Sequence, residues 1–288
     1  MPVNIVLDAT SLDTFQSCPA KFNYRFNLNK VTTTKAKPLD RGTLVHNGEE
    51  AYFNCLKETR SHSDSIQALR DAVLGTGLES DLTEEEINRA LEVLIESAFR
   101  WKERDLSFDI IAVEQSFSYL LHEDEDMRLV MIGKIDLLVN YEWNGQTYYN
   151  LPIDHKTYER DFPLKRTSNQ FSNYSYACKS NYLFVNRIGF QKSIPAEVKH
   201  KFIPLSYDPL FHEQWKLNTI KIAKEYLLAA SENSWIMNFT SCDKFNRICE
   251  YHEVCDTSGE DSKIYKLNLH FNTAPVWDVS EVLGKGKE

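Results

Sequence analysis

Two hydrophobic rhythms alternate along the chain, one with the three-and-four spacing of a helix and one with the two-residue spacing of a strand. Helical spacing comes first. Residues 11–26 read as a short helix, a break at Pro19 and an aromatic-rich second turn in which Phe22 and Phe26 share a face. A polar linker, 32–38, precedes a helix from Gly42 to Leu56, with Val45, Tyr52 and Leu56 apolar and His46 and Glu50 one turn apart. Residues 64–74 suggest another helix. Thr83 followed by Glu86 is a capping box for a long amphipathic helix to about Arg104, with Ile87, Leu91, Leu94, Ile95 and Ala98 as its stripe. Residues 58–105 therefore read as a helical insert.

Strand spacing takes over at 109–120. After an acidic turn, His122 to Asp126, comes the apolar run 131–139, then Asn144-Gly145 with Trp143, Tyr148 and Tyr149 beside it, then 151–157. An Asn-Gly pair between such runs predicts a β-hairpin. A cap at Thr167 or Ser168 starts a helix that puts Gln170 and Tyr174 on one face, and strands at 182–188 and 199–204 complete the predicted sheet. Lys199, His200 and Lys201 are expected to add to a phosphate-facing strip. Asp208-Pro209 opens a helix to about Ala230, and a tail without defined structure is expected beyond Gly259, its end at 284–288 disordered. The class expected is α/β, a mixed sheet flanked by helices.

The hairpin carries the chemistry. Asp136 and Asp154 interrupt Ile/Leu/Val runs, and a buried carboxylate is costly unless it is paired, hydrogen-bonded or bound to a metal. Whether they meet depends on register. A strict two-residue turn on Asn144-Gly145 makes paired residue numbers sum to 289 and sends the two acids to opposite faces; a bulge or longer loop makes the sum 290 and sets Asp136 across from Asp154. Asp154 and Lys156 share a face, and His155 points to the other. Two acids and a lysine on one face suit phosphodiester hydrolysis, with carboxylates holding Mg²⁺ or Mn²⁺ and the ammonium steadying developing charge. The plain alternative is a hairpin with a surface ion pair between Asp154 and Lys156. Glu114, in the preceding strand, is either another site acid or an edge residue, and a lone helix histidine such as His46 is ordinarily a satisfied polar residue.

Composition narrows the class. At 288 residues, 42% hydrophobic and 26% charged, the chain holds one large domain or one domain with a small satellite. No leader or membrane-length apolar run is evident, so an intracellular, cytoplasmic, soluble protein is expected. The formal net charge of −9 argues against a protein that coats nucleic acid, but not against an enzyme with a local basic groove and metal ions. Of six cysteines, Cys242, Cys249 and Cys255 fall within fourteen residues of loop-like sequence, which suggests thiolate ligands. Cys18, in a short break before proline, is the best fourth; Cys55 and Cys178 read as buried helix thiols.

Taken in order, these pieces resemble the PD-(D/E)xK nucleases of the RecB type, in particular the iron–sulfur branch with the AddB nuclease domain and the CRISPR-adaptation exonucleases. The motifs are the segment Ser11 to Pro19, Gly42 to His46, Gly133 to Asp136, Ile153 to Thr157, Gln170 to Tyr174, and the cysteines at 242, 249 and 255. The resemblance implies a restriction-endonuclease-like nuclease domain over 1–256, with the cysteine cluster at 242–255 closing onto Cys18, and a tail over 257–288. It implies that His46, Asp136, Asp154 and the main-chain carbonyl of His155 hold Mg²⁺ or Mn²⁺, and that Lys156 positions or activates water. Gln170 and Tyr174 would contact the DNA backbone or brace Lys156. Cys18, Cys242, Cys249 and Cys255 would hold a [4Fe–4S] cluster, with a structural Zn²⁺ as the alternative. Cys242 and Cys249 depart from the pattern, with six residues between them where many relatives have two.

The function implied is a DNA exonuclease acting on ends or single strands in recombination, repair or phage DNA processing, with a helicase, an annealing protein or an integrase as the kinds of partner such enzymes take. A structure-specific endonuclease and a non-catalytic DNA-end-binding subunit are the alternatives; intact His46, Asp136, Asp154 and Lys156 weigh against the second.

Overall fold

The computed structural model describes residues 2–33, 37–160, 163–244 and 247–275. In chain order the elements are β1 (Val3–Leu7), α1 (Ala9–Ser17), α2 (Pro19–Phe22) with a π-helical turn at Asn23–Asn27, β2 (Lys30–Thr32), α3 (Lys37–Thr59), α4 (His62–Leu78), α5 (Glu84–Arg100) and α6 (Lys102–Ser107). There follow β3 (Asp109–Glu123), β4 (Met127–Trp143), β5 (Gln146–Tyr158), α7 (Asn169–Ala177), β6 (Tyr182–Gly189), α8 (Ala196–Lys199), β7 (Lys201–Ser206) and α9 (Pro209–Ser231). The C-terminal part has a 3₁₀ turn at Phe239–Ser241, β8 (Asp243–Lys244), β9 (Arg247–Ile248), α10 (His252–Cys255), α11 (Glu260–His270) and β10 (Phe271–Thr273).

This is the expected mixed α/β fold, a central sheet flanked by helices, with strand order β1-β4-β5-β6-β7 and β3 also paired to β4. The chain divides into two compact units. One comprises Met1–Lys35, Ser118–Gly133 and Leu210–Glu288; the other comprises Ala36–Phe117 and Lys134–Pro209.

The second unit holds the hairpin. β4 and β5 are antiparallel, β5 and β6 parallel, and β6 and β7 antiparallel. Parallel β5 and β6 need a crossover, and α7 supplies it. Leu44, Val45, Phe53 and Leu56 of α3 form one buried core with Leu69 and Val73 of α4, Val93 and Leu94 of α5, and Leu137, Val139, Ile153 and Phe184 of the sheet. The helices of the expected insert are therefore part of this core. At Gly48 α3 packs closely on α4 and α5: a β-carbon there would meet Val73 Cγ2 at 2.8 Å and Leu94 Cδ1 at 3.0 Å. The Thr83 capping box forms, with Glu86 bonding back to the Thr83 main chain. The long helix expected to reach Arg104 stops at Arg100, and α6 follows after Trp101.

In the first unit β1 runs parallel to the opening half of β4, Val3 opposite Met127 through Leu7 opposite Met131. Asp8 caps α1, and Phe22 and Phe26 do meet, with ring centroids 5.0 Å apart. The tail expected from Gly259 is structured instead as far as residue 275. Leu267 of α11 and Phe271 are buried with Tyr251 and Val254, and β10 pairs antiparallel with β2. Leu267 is the one large apolar residue of α11 that is buried, while Ile264, Tyr265 and Leu269 are exposed, so the segment lacks a periodic apolar stripe and reads as loop in sequence. The expected disorder at 284–288 lies outside the described residues.

Two further expectations are corrected. The strand after β6 starts at Lys201, so Lys199 and His200 precede it and are buried rather than presented as a basic strip. Lys199 Nζ is 2.5 Å from Glu96 Oε2, and burial lowers the His200 pKa to about 4, with Glu96 opposing. No helix among the described residues is long and apolar enough to cross a membrane.

Candidate active site

The turn and the bulge foreseen as alternatives both occur. At the tip, Trp143 pairs with Gln146, Glu142 with Thr147 and Tyr141 with Tyr148, the register of a two-residue turn, with Asn144 and Gly145 at φ 53° and 75°. Between Val139 and Tyr141 the register shifts, and Val139 then faces Leu151, Leu138 faces Pro152 and Leu137 faces Ile153. Tyr149 and Asn150 oppose Asn140 alone, Asn150 takes φ 50°, and its N–H donates to Asn140 Oδ1 at 3.1 Å. The extra residue brings Asp136 and Asp154 to one face.

Three further side chains converge on them: His46, Glu114 and Lys156. His46 Nδ1 lies 3.6 Å from Asp136 Oδ2 and 3.9 Å from Glu114 Oε1, and these three residues can offer ligand atoms all within 4.8 Å of one another. Asp154 stands beside them and is fully buried. Lys156 Nζ donates to Asp154 Oδ1 at 3.0 Å; Oδ2 is 2.9 Å away but has no hydrogen bond of acceptable geometry. A surface ion pair is thereby ruled out as the description of Asp154 and Lys156. Glu114 was left open by its sequence and is now the third member of the tightest group. It sits in β3 with φ 50°, a conformation rare for a non-glycine residue in a strand, and such a kink re-aims a side chain.

The electrostatics favour a cation. Burial raises the Asp154 pKa to about 7, with Lys156 pulling it down and Asp136 pushing it up. Burial likewise raises Asp136 to about 6, opposed by the His155 main-chain N–H and by Lys156. His46 is lowered, by burial first and then by Lys156, so it offers a neutral imidazole. Neutral imidazole with hard carboxylate oxygens, one of them buried without a proper donor, is a donor set that a small divalent cation fits.

A family profile described as the PD-(D/E)XK nuclease superfamily matches residues 7–256. The chain belongs to that superfamily. No curated protein matches the sequence. Among solved structures, a protein of Eubacterium rectale provisionally named an exonuclease is similar at 12% identity and TM-score 0.48, over 85% of this chain and 89% of that one. The crystal structure of SSO0001 is similar at 10% identity and TM-score 0.37, over 77% of this chain and 75% of that one.

In this nuclease His155 supports the site from behind. Its main-chain N–H donates to Asp136 Oδ2 at 2.8 Å, and its ring turns the other way, stacked on Phe53 at 5.5 Å. Arg104 donates to Asn186 Oδ1 at 3.3 Å, which turns the Asn186 amide N–H toward His155 Nδ1 at 3.0 Å. That orientation makes Nδ1 an acceptor and puts the ring proton on Nε2. Buried Glu49 lies 3.8 Å from the same Nδ1, and burial, then Asp105, raises it to about 8. Gln170 and Tyr174 also meet, Nε2 to hydroxyl at 3.0 Å, and the Lys156 ammonium sits 5.8 Å from the centre of the Phe171 ring on the same helix. Tyr174 is kept well protonated by burial, then by Asp136 and Asp154.

The four expected cysteines are all in the first unit and all free. Cys18 is buried between α1 and α2, and its sulfur accepts from the Asn238 N–H at 3.4 Å. Asn238 Nδ2 and the Ser241 hydroxyl both donate to the Ser17 carbonyl, at 2.8 and 2.7 Å, and the Cys249 N–H donates to the Cys242 carbonyl at 2.8 Å. The Cys255 thiol is pushed up to about 11 by burial, then by Cys18 and Cys249. Among the described residues, no three of these sulfurs lie within 4.8 Å of one another.

Proposed function

We propose that this nuclease is a Mg²⁺- or Mn²⁺-dependent deoxyribonuclease of the RecB type, an exonuclease acting on DNA ends or single strands. The observation that carries the reading is the convergence of His46, Glu114, Asp136, Asp154 and Lys156, three of them within the reach of a single ion. When bound, a divalent cation held by His46, Glu114 and Asp136, with Asp154 and the His155 carbonyl beside it, would polarise the phosphoryl oxygen and acidify a water. Lys156, anchored on Asp154, would place its ammonium beside the attacking water and the negative charge developing on the phosphoryl oxygens, and orient the water by hydrogen bonding. Gln170 and Tyr174, hydrogen-bonded to each other, would contact the DNA backbone or brace Lys156, and Phe171 stands beside the Lys156 ammonium.

The test is degradation of end-labelled single- and double-stranded DNA by the wild type and Lys156→Ala, in Mg²⁺, Mn²⁺ or EDTA. Metal-dependent cleavage is expected, reduced about 10²- to 10⁴-fold in the variant, the range for loss of one well-placed catalytic group. A covalently closed single-stranded circle should survive. Cleavage of the circle would replace the exonuclease with an endonuclease, and an inert wild type that binds DNA would favour an end-binding subunit.

The cysteines extend the reading to a [4Fe–4S] cluster joining Cys18 to the C-terminal segment. A structural Zn²⁺ on the same four thiolates is the alternative. Anaerobically purified protein is expected to be brown, with about four irons per chain. Colourless protein with one equivalent of zinc would remove the cluster and leave the nuclease site untouched.

A further inference from the structure

One cation beside the metal-binding group is left unused by the chemistry above. Lys134 precedes Asp136 by two positions on β4, so both side chains leave the strand on the same face. Its ammonium is paired with Glu114 Oε2, while the other oxygen of that carboxylate faces His46. The side chain of Glu114 is 10% exposed and that of Lys134 is 57% exposed, so the carboxylate faces inward and the ammonium outward. The two lysines of the site thus differ in setting: Lys156 is tied to a fully buried carboxylate, whereas Lys134 stands at the rim on a carboxylate that a metal ion would also claim.

We propose that Lys134 is a substrate-contacting residue with two opposed effects: without DNA it competes with the divalent cation for Glu114, and with DNA it transfers to a backbone phosphate and leaves Glu114 to the metal. The proposal rests on the nuclease reading of the site. An ion pair whose ammonium is more than half exposed is easily exchanged for another anion, and a phosphodiester is an equivalent one. A divalent ion arriving at Glu114 repels the ammonium outward, toward the bound strand. Metal and DNA therefore strengthen each other's binding through this one side chain, and the coupling must be the same in both directions.

The experiment uses the full chain with Lys134→Met and Lys134→Arg. Mn²⁺ binding without DNA is measured by calorimetry, and DNA binding by fluorescence anisotropy with Ca²⁺ as the ion. Lys134→Met is expected to bind Mn²⁺ about 3- to 10-fold more tightly than the wild type, because a like charge has been removed. It is expected to bind DNA about 3- to 10-fold more weakly, with a salt dependence reduced by about one phosphate contact. Lys134→Arg keeps the charge and should restore DNA affinity. A merely structural lysine would weaken both ligands together. Unchanged or weaker Mn²⁺ binding in Lys134→Met, while the wild type binds Mn²⁺ and cleaves DNA, overturns the proposal and leaves the nuclease standing. A wild type that neither binds Mn²⁺ nor cleaves in it removes both.

Discussion

Asp154→Asn should abolish metal-dependent cleavage and, in EDTA at pH 8, raise the melting temperature. Asp154 is fully buried and its pKa is raised to about 7, so ionising it in the metal-free fold opposes folding. The folded protein holds a proton on this group between the unfolded value near 4 and the folded value near 7, where the unfolded chain has lost it. Stability from this group therefore falls as pH rises through that window and stays low above it. Asparagine keeps the shape and removes the charge. Its gain is partly offset because Lys156 loses an anionic partner, although that ammonium is 31% exposed and can be solvated. A net gain of about 1–2 kcal/mol at pH 8, or a few degrees, is expected. At pH 5 the folded wild-type carboxyl is protonated and the difference should narrow, closing fully only below the unfolded value near 4. Calorimetry of both proteins in EDTA at the two pH values reads this directly, and a variant equally destabilised at both would show that Asp154 is held for packing. Hydrolysis by the variant is expected to fall about 10³-fold or more, because the anchor of Lys156 and a charge beside the metal go together.

Glu114→Gln is the second decisive substitution. If the cation is shared by His46, Glu114 and Asp136, removing one carboxylate should raise the Mn²⁺ concentration for half-maximal cleavage about 10- to 100-fold. Glu123→Gln, exposed on the same strand, should leave the titration unchanged. A Glu114→Gln titration that overlays the wild type would restrict the ligands to His46, Asp136, Asp154 and the His155 carbonyl, the set that the family resemblance implies.

These two acids mark how far the sequence could be followed. Asp154 was conspicuous because it interrupts an apolar strand next to Lys156, and interruptions of a periodic pattern are visible locally. Glu114 was ambiguous for the opposite reason. Its strand has polar residues on both sides, and the kink at φ 50° that aims its carboxylate at His46 leaves no trace in residue type. Gln170 and Tyr174 could be paired from their spacing, since four residues is one helical turn and needs no knowledge of the rest of the chain. The helix in the C-terminal tail could not, because only Leu267 of its apolar residues is buried, in a cluster with Tyr251, Val254 and Phe271 that the local pattern does not announce.

The hairpin shows the same division most sharply. The residues themselves required a bulge if Asp136 and Asp154 were to share a face, and Asn144-Gly145 required a tight turn. The fold satisfies both, by placing the extra residue at Tyr149-Asn150 instead of in the turn. Periodicity, caps, turn residues and motif order are short-range properties, so helices, strands, the hairpin and the lysine beside its acid were determined by the chain alone. Burial, register beyond the turn, the pairing of Lys134 with Glu114 and the chain from Arg104 through Asn186 to His155 join residues far apart in sequence. Tertiary packing decided those, because a contact between distant segments is set by which faces are buried together, and no local pattern encodes its partner.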